Sequence, residues 1–192
     1  KINKGDKILE LGCGIGGHVI KESSLVGTKG FILATDYSKK SLKFLKKKIK
    51  NKNVEVKCIP MDDISSLLSY KKIKFNKIIS SYALYYAKNP LKVIRSSSFF
   101  LKKNGSFLIT APCYPHTLTE FASSQKTLPK IAKKYIDFSQ KNLEKFLNKK
   151  KIKYKSYNFK NTLKFKDEND LLDFYRSTVF YNKKSEKSLS RI

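Results

Sequence analysis

The chain has 192 residues, 40% of them apolar, which is enough for one domain with a sizeable core. No apolar stretch reaches the about 18 residues that a membrane-spanning helix needs, so a spanning helix is excluded. The formal charge is +27, but 39 of the 42 basic residues are lysine and only Arg95, Arg176 and Arg191 are arginine; arginine is the residue favoured for forked phosphate and base recognition, so the excess reads as a solvated lysine surface rather than a dedicated nucleic-acid face.

Residues 8–11 form a short apolar run ending in glycines and read as a strand, followed by a glycine-rich turn at 12–17 and a helix through Leu25. Gly27 and Gly30 break that helix, and 31–35 is a second strand that stops at Asp36. Ser38 can cap a helix carrying Leu42, Leu45 and Ile49 on one face. A third strand is predicted over 54–59, a short helix over 64–68 and a fourth strand over 77–81. A helix over 91–101 closed by Asn104-Gly105, then a fifth strand over 106–110, complete the rhythm. Strand and helix alternate at short spacing, which predicts an α/β fold: a Rossmann-like, doubly wound, mostly parallel sheet in a three-layer α/β/α arrangement. Such sheets bind ligands beyond the carboxyl ends of their strands, where the strand order switches.

After Pro112 the pattern changes. Helices are predicted over 118–134 and 140–147, a strand-like run over 153–165, and a helix capped by Asp167 that carries Leu171, Leu172, Phe174 and Tyr175. The organisation expected is a single domain over 1–182, with a ligand-binding core at 1–112, further helices and a last strand region at 113–182, and a frayed polar tail at 183–192. Cys13, Cys58 and Cys113 lie far apart, without metal-ligand spacing, and read as reduced thiols of a cytoplasmic protein with no metal site.

The chemistry concentrates where strands meet turns. Gly12, Gly14 and Gly17 satisfy G-x-G-x-x-G, a weak pattern that a dinucleotide site shares. Three acids narrow the choice. Glu10 lies inside the first strand, where a pyrophosphate has little use for a carboxylate and a cationic amino-acid group does. Asp36 ends the second strand, where its oxygens can accept from both hydroxyls of a ribose. Asp62-Asp63 follows the third strand, within reach of an adenine amino group. Three acids at three successive strand ends suit a ligand with an ammonium, a ribose and an adenine but no phosphate.

Residues 5–14 (Gly-Asp-Lys-Ile-Leu-Glu-Leu-Gly-Cys-Gly) resemble the first motif of the class I S-adenosylmethionine-dependent methyltransferases, nearest to the broad type-11 and type-25 groups. Residues 26–38, 75–86 and 102–109 resemble the second-strand motif, the fourth-strand motif and the turn into the fifth strand, in the family's order. Asn76 stands where an aspartate is frequent, and Asn104-Gly105 where Pro-Gly-Gly or Gly-Gly is. The resemblance implies S-adenosylmethionine as the donor and S-adenosylhomocysteine as its product. It implies Glu10, Gly12, Cys13, Gly14 and Gly16 around the methionine part, Asp36 on the ribose, Tyr37 beside the adenine, Met61 and Asp62 or Asp63 on the adenine, and Ser81 beside the sulfonium. It also implies a fold that continues beyond this sequence at one or both ends.

Methyl transfer asks mainly for alignment and desolvation, and for a base only where the acceptor must lose a proton. His116 and Tyr82 are the candidate catalytic groups. Tyr85, Tyr86, Tyr114, Tyr175 and Arg176 are acceptor-side candidates. Ser80-Ser81-Tyr82-Ala83 lacks the Asn/Asp-Pro-Pro-Tyr clamp of many amino-methylating nucleic-acid enzymes, and no cysteine follows the fourth strand to form a thiol adduct. The resemblance to the type-11 and type-25 groups, which mostly act on small metabolites, implies a small-molecule acceptor. An RNA or protein acceptor is the alternative that the positive charge keeps open. An NAD-dependent oxidoreductase ranks below it: Tyr70 and Lys74 match Tyr-x-x-x-Lys, but before the fourth strand rather than after the fifth. A non-catalytic binding domain on the same fold is the remaining reading.

Overall fold

A computed structural model describes residues 1–113 and 116–189, with only the backbone of Leu68 and Gln140. The chain divides into two compact units, Lys1–Ala111 and Pro112–Ile192.

The first unit is built on strands β1 (Lys7–Leu11), β2 (Phe31–Asp36), β3 (Val54–Cys58), β4 (Phe75–Ser81) and β5 (Leu101–Thr110). All neighbours pair in parallel, in the order β3-β2-β1-β4-β5. This is the open, Rossmann-like α/β sheet that the alternation of elements predicts. Central strands of parallel sheets are covered on both faces, which explains the uninterrupted apolar runs. Ile8, Leu9 and Leu11 of β1 and Ile32 and Leu33 of β2 are fully buried. Ile8, Ile32 and Ala34 meet Val19 and Val26 of α1 (Gly17–Val26) and Leu42 and Leu45 of α2 (Lys39–Lys48). From β1 the chain winds outward through α1 to β2 and α2 to β3. From β4 it winds the opposite way through α3 (Pro90–Ser98) to β5. Right-handed crossovers therefore put α3 on the sheet face opposite α1 and α2. The order reverses between β1 and β4, so the ligand crevice of such a fold opens beyond Leu11, Asp36 and Ser81.

Local signals act as expected at two helix starts. The Ser38 hydroxyl accepts from the Ser41 amide (3.2 Å), and the Asn89 side chain accepts from the Lys92 amide (3.0 Å), each satisfying an amide that has no partner within its helix. The region after α3 differs from expectation. The helix stops at Ser98, and β5 begins at Leu101 rather than at 106. Leu101 faces Phe75 and Ser106 faces Lys77, so Asn104 and Gly105 belong to a bulge inside the strand instead of closing the helix. Residues 61–70 form a longer 3₁₀ stretch (Met61–Tyr70) than the short helix expected.

The second unit is helical: α4 (Thr117–Ser124), α5 (Lys130–Ile136), a π-helical turn (Asp137–Asn142), α6 (Leu143–Lys149), α7 (Glu168–Ser177) and α8 (Lys183–Leu189). The predicted helix 118–134 is two helices, because Lys126 takes φ +55° and Pro129 starts the second. The predicted strand 153–165 is irregular and almost wholly exposed. Its alternation of apolar and polar residues supplies strand propensity, yet no ladder partner exists for it among the described residues, and propensity alone does not hold a strand. The predicted frayed tail is instead α8 through Leu189: Ser185 and Leu189 are buried, and the Ser185 hydroxyl meets that of Thr127 at 3.2 Å. Asp167 caps α7 as expected, accepting from the Asp170 amide at 2.9 Å.

Candidate functional site

The loop between β1 and α1 is held by main-chain bonds before any ligand is considered. The amides of Gly12 and Cys13 both donate to the Thr35 carbonyl, at 2.8 and 2.9 Å. Gly12 has φ +75°, and a Cβ there would lie 2.4 Å from the Ala83 Cβ and 3.1 Å from the Met61 Cε. Only glycine fits, so the loops after β1, β3 and β4 come into contact at this point. Gly14 also has positive φ, but a Cβ on it would meet nothing within 4 Å. The loop is therefore packed on one side at Gly12 and open at Gly14.

Asp36 joins this loop to the next. Its Oδ2 accepts from the Gly14 amide and its Oδ1 from the Ser38 amide, both at 2.8 Å. The side chain is buried, and each oxygen accepts one main-chain bond and has capacity for a further one. Tyr37, the next residue, is 72% exposed and free to lie against a flat ligand.

Glu10 is 2% exposed and faces Glu22 of α1, which is 6% exposed. The two carboxyls are close enough to act on each other, and a hydrogen bond between them requires that one be protonated. Burial first, then the charge and hydrogen bond of Glu22, push Glu10 up to about 9. Burial likewise raises Glu22. The buried Cys13 thiol is pushed up by burial and by the nearby charges of Glu10 and Asp36, which keeps it unreactive. Sequence reasoning missed Glu22. The signal was present: Val19, Glu22, Ser23 and Val26 are the buried face of α1, so an acid stands in an otherwise apolar helical stripe.

The acids after β3 behave differently. Asp62 accepts from the amides of Lys88 (2.8 Å) and Asn89 (3.1 Å), which fastens it to the loop before α3. Asp63 is exposed and accepts from the Ser65 hydroxyl at 3.1 Å. Met61 reaches the Gly12 turn, whereas Asp62 serves the neighbouring loop. Ser81 ends β4, and Tyr82 follows with φ +52°, an uncommon backbone state for a tyrosine that leaves its ring 57% exposed. Tyr85 is buried and Tyr86 exposed, their ring centroids 4.8 Å apart.

Of the candidates in the second unit, Tyr114 lies outside the described residues. His116 stacks on Phe180 (5.6 Å between centroids), its Nδ1 lies 3.4 Å from the Thr119 hydroxyl, and burial lowers its basicity. Tyr175 is fully buried and its hydroxyl accepts from the Asn182 amide at 3.1 Å, so it packs rather than presenting its ring to an acceptor. Arg176 is bound by Asp173 (3.0 Å) and Glu186, which occupies the fork that an anionic acceptor would need.

Comparison with known proteins meets the same motifs. A family model for a methyltransferase domain matches residues 2–167. The ubiquinone/menaquinone biosynthesis C-methyltransferase UbiE of Wigglesworthia glossinidia brevipalpis is 33% identical over 107 residues, 56% of this chain and 43% of that protein. The UbiE of Francisella philomiragia subsp. philomiragia is 29% identical over 157 residues, 77% of this chain and 54% of that protein. The chain thus spans about half the length of these curated relatives. Among solved structures, a protein of Listeria monocytogenes classed as an S-adenosylmethionine-dependent methyltransferase superposes with a TM-score of 0.50 at 25% identity, covering 57% of this chain and 48% of its own.

Proposed function

The chain belongs to the methyltransferase-domain family, and from that premise we propose that it transfers a methyl group from S-adenosylmethionine to a small-molecule acceptor. The observation that carries the proposal is the clamp of Asp36 on the Gly14 and Ser38 amides, on the strand next to the switch in strand order and beside an open glycine face. The residues fit the donor. Glu10 keeps Oε2 buried without a hydrogen-bond partner, an unmet acceptor for an ammonium. Asp36 keeps acceptor capacity for ribose hydroxyls. The unsubstituted face of Gly14 lets a ligand reach the backbone.

When bound, the donor supplies a methyl group already activated by its sulfonium. The chain's residues then have to hold the donor's two ends, exclude water and orient the acceptor, which is where most of the rate of such a displacement originates. Tyr82 and Tyr86, exposed after β4, suit an aromatic or apolar acceptor. The names of the two UbiE relatives, C-methyltransferases of quinone biosynthesis, support a small molecule with carbon as the accepting atom. Where the acceptor must lose a proton, Tyr82, exposed after β4, is the catalytic candidate within the first unit. A cytoplasmic location belongs to the same reading: Cys13, Cys58 and Cys113 are free thiols, and among the described residues no helix is long and apolar enough to cross a membrane.

A second reading, an RNA acceptor, is favoured by one feature. Lys39, Lys43, Lys46 and Lys47 line a cavity of about 530 Å³ with Leu42 and Cys58. Lysine contacts to phosphate screen out steeply with salt, so RNA retained at physiological ionic strength favours that reading and loss of RNA favours the small molecule. Calorimetry tests the donor: heat is expected with S-adenosylhomocysteine and none with NAD. Asp36→Ala should weaken S-adenosylhomocysteine at least about tenfold, or about 1.4 kcal/mol. Heat with NAD alone, or unchanged affinity in Asp36→Ala, overturns the reading.

A further inference from the structure

Two buried carboxyls in contact are chemically incomplete without a proton. Carboxylate oxygens only accept, so a Glu10–Glu22 hydrogen bond exists only while one partner is protonated. Each glutamate also leaves its Oε2 buried and without a hydrogen-bond partner. A purely structural pair would satisfy these atoms; here both acceptors are held open in an enclosed place beside the glycine loop. Besides each other, the groups in electrostatic reach of the pair are His18 on α1, which acts on Glu22, and the Cys13 thiol of the glycine loop, on which Glu10 acts. Lys77, the cation paired with Asp6 at 3.8 Å, sits at the opposite end of these strands. Among the described residues neither carboxyl forms an ion pair, and His18, the one basic group that acts on Glu22, is exposed, so a proton fills the neutralising role.

We propose that Glu10 and Glu22 share one proton in the free protein and release it when the cationic amino-acid end of the donor binds, which makes donor binding proton-linked. The step balances simply: the proton passes to solvent, the two carboxylates remain, and the ammonium supplies the positive charge in its place. Glu22 is a positioning residue, acting on the donor through Glu10. This inference rests on the donor reading above and adds to it the charge state of the site.

The direction of the linkage follows. A site that releases a proton on binding binds more tightly as pH rises, by up to tenfold per unit where one full proton is released. The same pair has the reverse effect on folding. Glu10 is at about 9 in the fold against an ordinary 4.5, so its contribution to stability is full below 4.5 and is lost as pH rises through about 9.

The test is calorimetry of S-adenosylhomocysteine at pH 7.5 in phosphate and in Tris, whose ionisation heats differ. The wild type should show a buffer-dependent heat equivalent to release of up to one proton. Glu22→Gln should remove that dependence while still binding, because its amide can donate to an already ionised Glu10. Glu22→Asp should restore it. Equal heats in both buffers for the wild type, or an undiminished release in Glu22→Gln, overturn the proposal while leaving the donor reading intact. Absence of any heat at all overturns the donor reading instead. In that case the infrared band of a protonated carboxyl, present in wild type at pH 7.5 and lost in Glu22→Gln, still decides whether the pair holds a proton. Should a variant fold poorly, the wild-type buffer comparison alone remains decisive.

Discussion

The two units fix their polar groups by different means. In Lys1–Ala111 the main chain does the holding. Asp36 receives the amides of Gly14 and Ser38, Asp62 those of Lys88 and Asn89, and the Asn53 side-chain Nδ2 donates to the main-chain carbonyls of Ser23 and Gly27. In Pro112–Ile192 main-chain bonds occur too, as where the Asn182 amide donates to the Tyr175 hydroxyl, but several contacts join side chain to side chain. The Thr119 and Tyr135 hydroxyls meet at 2.8 Å, those of Thr127 and Ser185 at 3.2 Å, His116 stacks on Phe180, and Tyr175 packs edge-on to Phe121 and Tyr181. A main-chain grip fixes a loop whatever its neighbours are, which suits a site that must present one geometry to one ligand. A side-chain lattice changes with each substitution.

This contrast is tested most severely at Gly12. Gly12→Ala forces a Cβ toward Ala83 in a left-handed backbone. The backbone state costs about 1–2 kcal/mol and the overpacking about 1–3, so urea unfolding should show a loss of about 2–5 kcal/mol. A loss below about 0.5 kcal/mol, within the range of ordinary surface changes, would mean that the loops after β1 and β4 are not held together as described. Asp36→Ala comes next. It strips the Gly14 and Ser38 amides of their acceptor, and leaving buried donors unmet costs about 1–3 kcal/mol. The same variant loses donor affinity, so stability and binding should fall together here and nowhere in the second unit.

How far the sequence revealed each unit follows from the same difference. The sheet could be read because continuous apolar runs, glycines at turns and acids at strand ends are local patterns, and parallel pairing of Glu10 with both Ala34 and Ile79 brings those ends together. Glu10, Gly14 and Asp36 were legible for that reason. Glu22 was not singled out, because its meaning depends on which residue faces it across α1 and β1. Asp62 could be located but not interpreted, since its partners are amides twenty-six and twenty-seven residues away. In the second unit nothing local distinguishes 153–165, which has the alternation of a strand and no neighbour to pair with, from a true strand. The polar tail showed no apolar stripe, so the contacts of Ser185 and Leu189 that order α8 were not visible either.

Tyr175→Phe sharpens the comparison at lower amplitude. The ring stays in place against Phe121 and Tyr181, while the Asn182 amide loses its acceptor. About 1 kcal/mol of stability should disappear in a urea melt, with donor affinity unchanged. A drop in donor affinity would show that the second unit's interior contributes to the donor site, which would erase the division of labour.

The smallest effect is expected at Arg176. Its guanidinium binds Asp173 three residues back on α7 and Glu186 on α8, and Glu186 is also reached by the Tyr181 hydroxyl at 3.1 Å. The Asp173 pair sits in solvent and the Glu186 pair is partly exposed, so side-chain entropy and screening offset most of the Coulomb attraction. Arg176→Ala should therefore leave the thermal midpoint almost where it was, and raising the salt concentration should remove whatever shift remains. Methyl transfer is the sharper readout. If Arg176 only joins α7 to α8, turnover and KM stay at wild-type values, and Glu186→Gln behaves identically because it cuts the same tie. If KM for the acceptor rises in Arg176→Ala but not in Glu186→Gln, the guanidinium leaves its intramolecular partners to meet the acceptor. An anionic group on that acceptor would then follow, and the side-chain lattice of the second unit would have a direct part in choosing it.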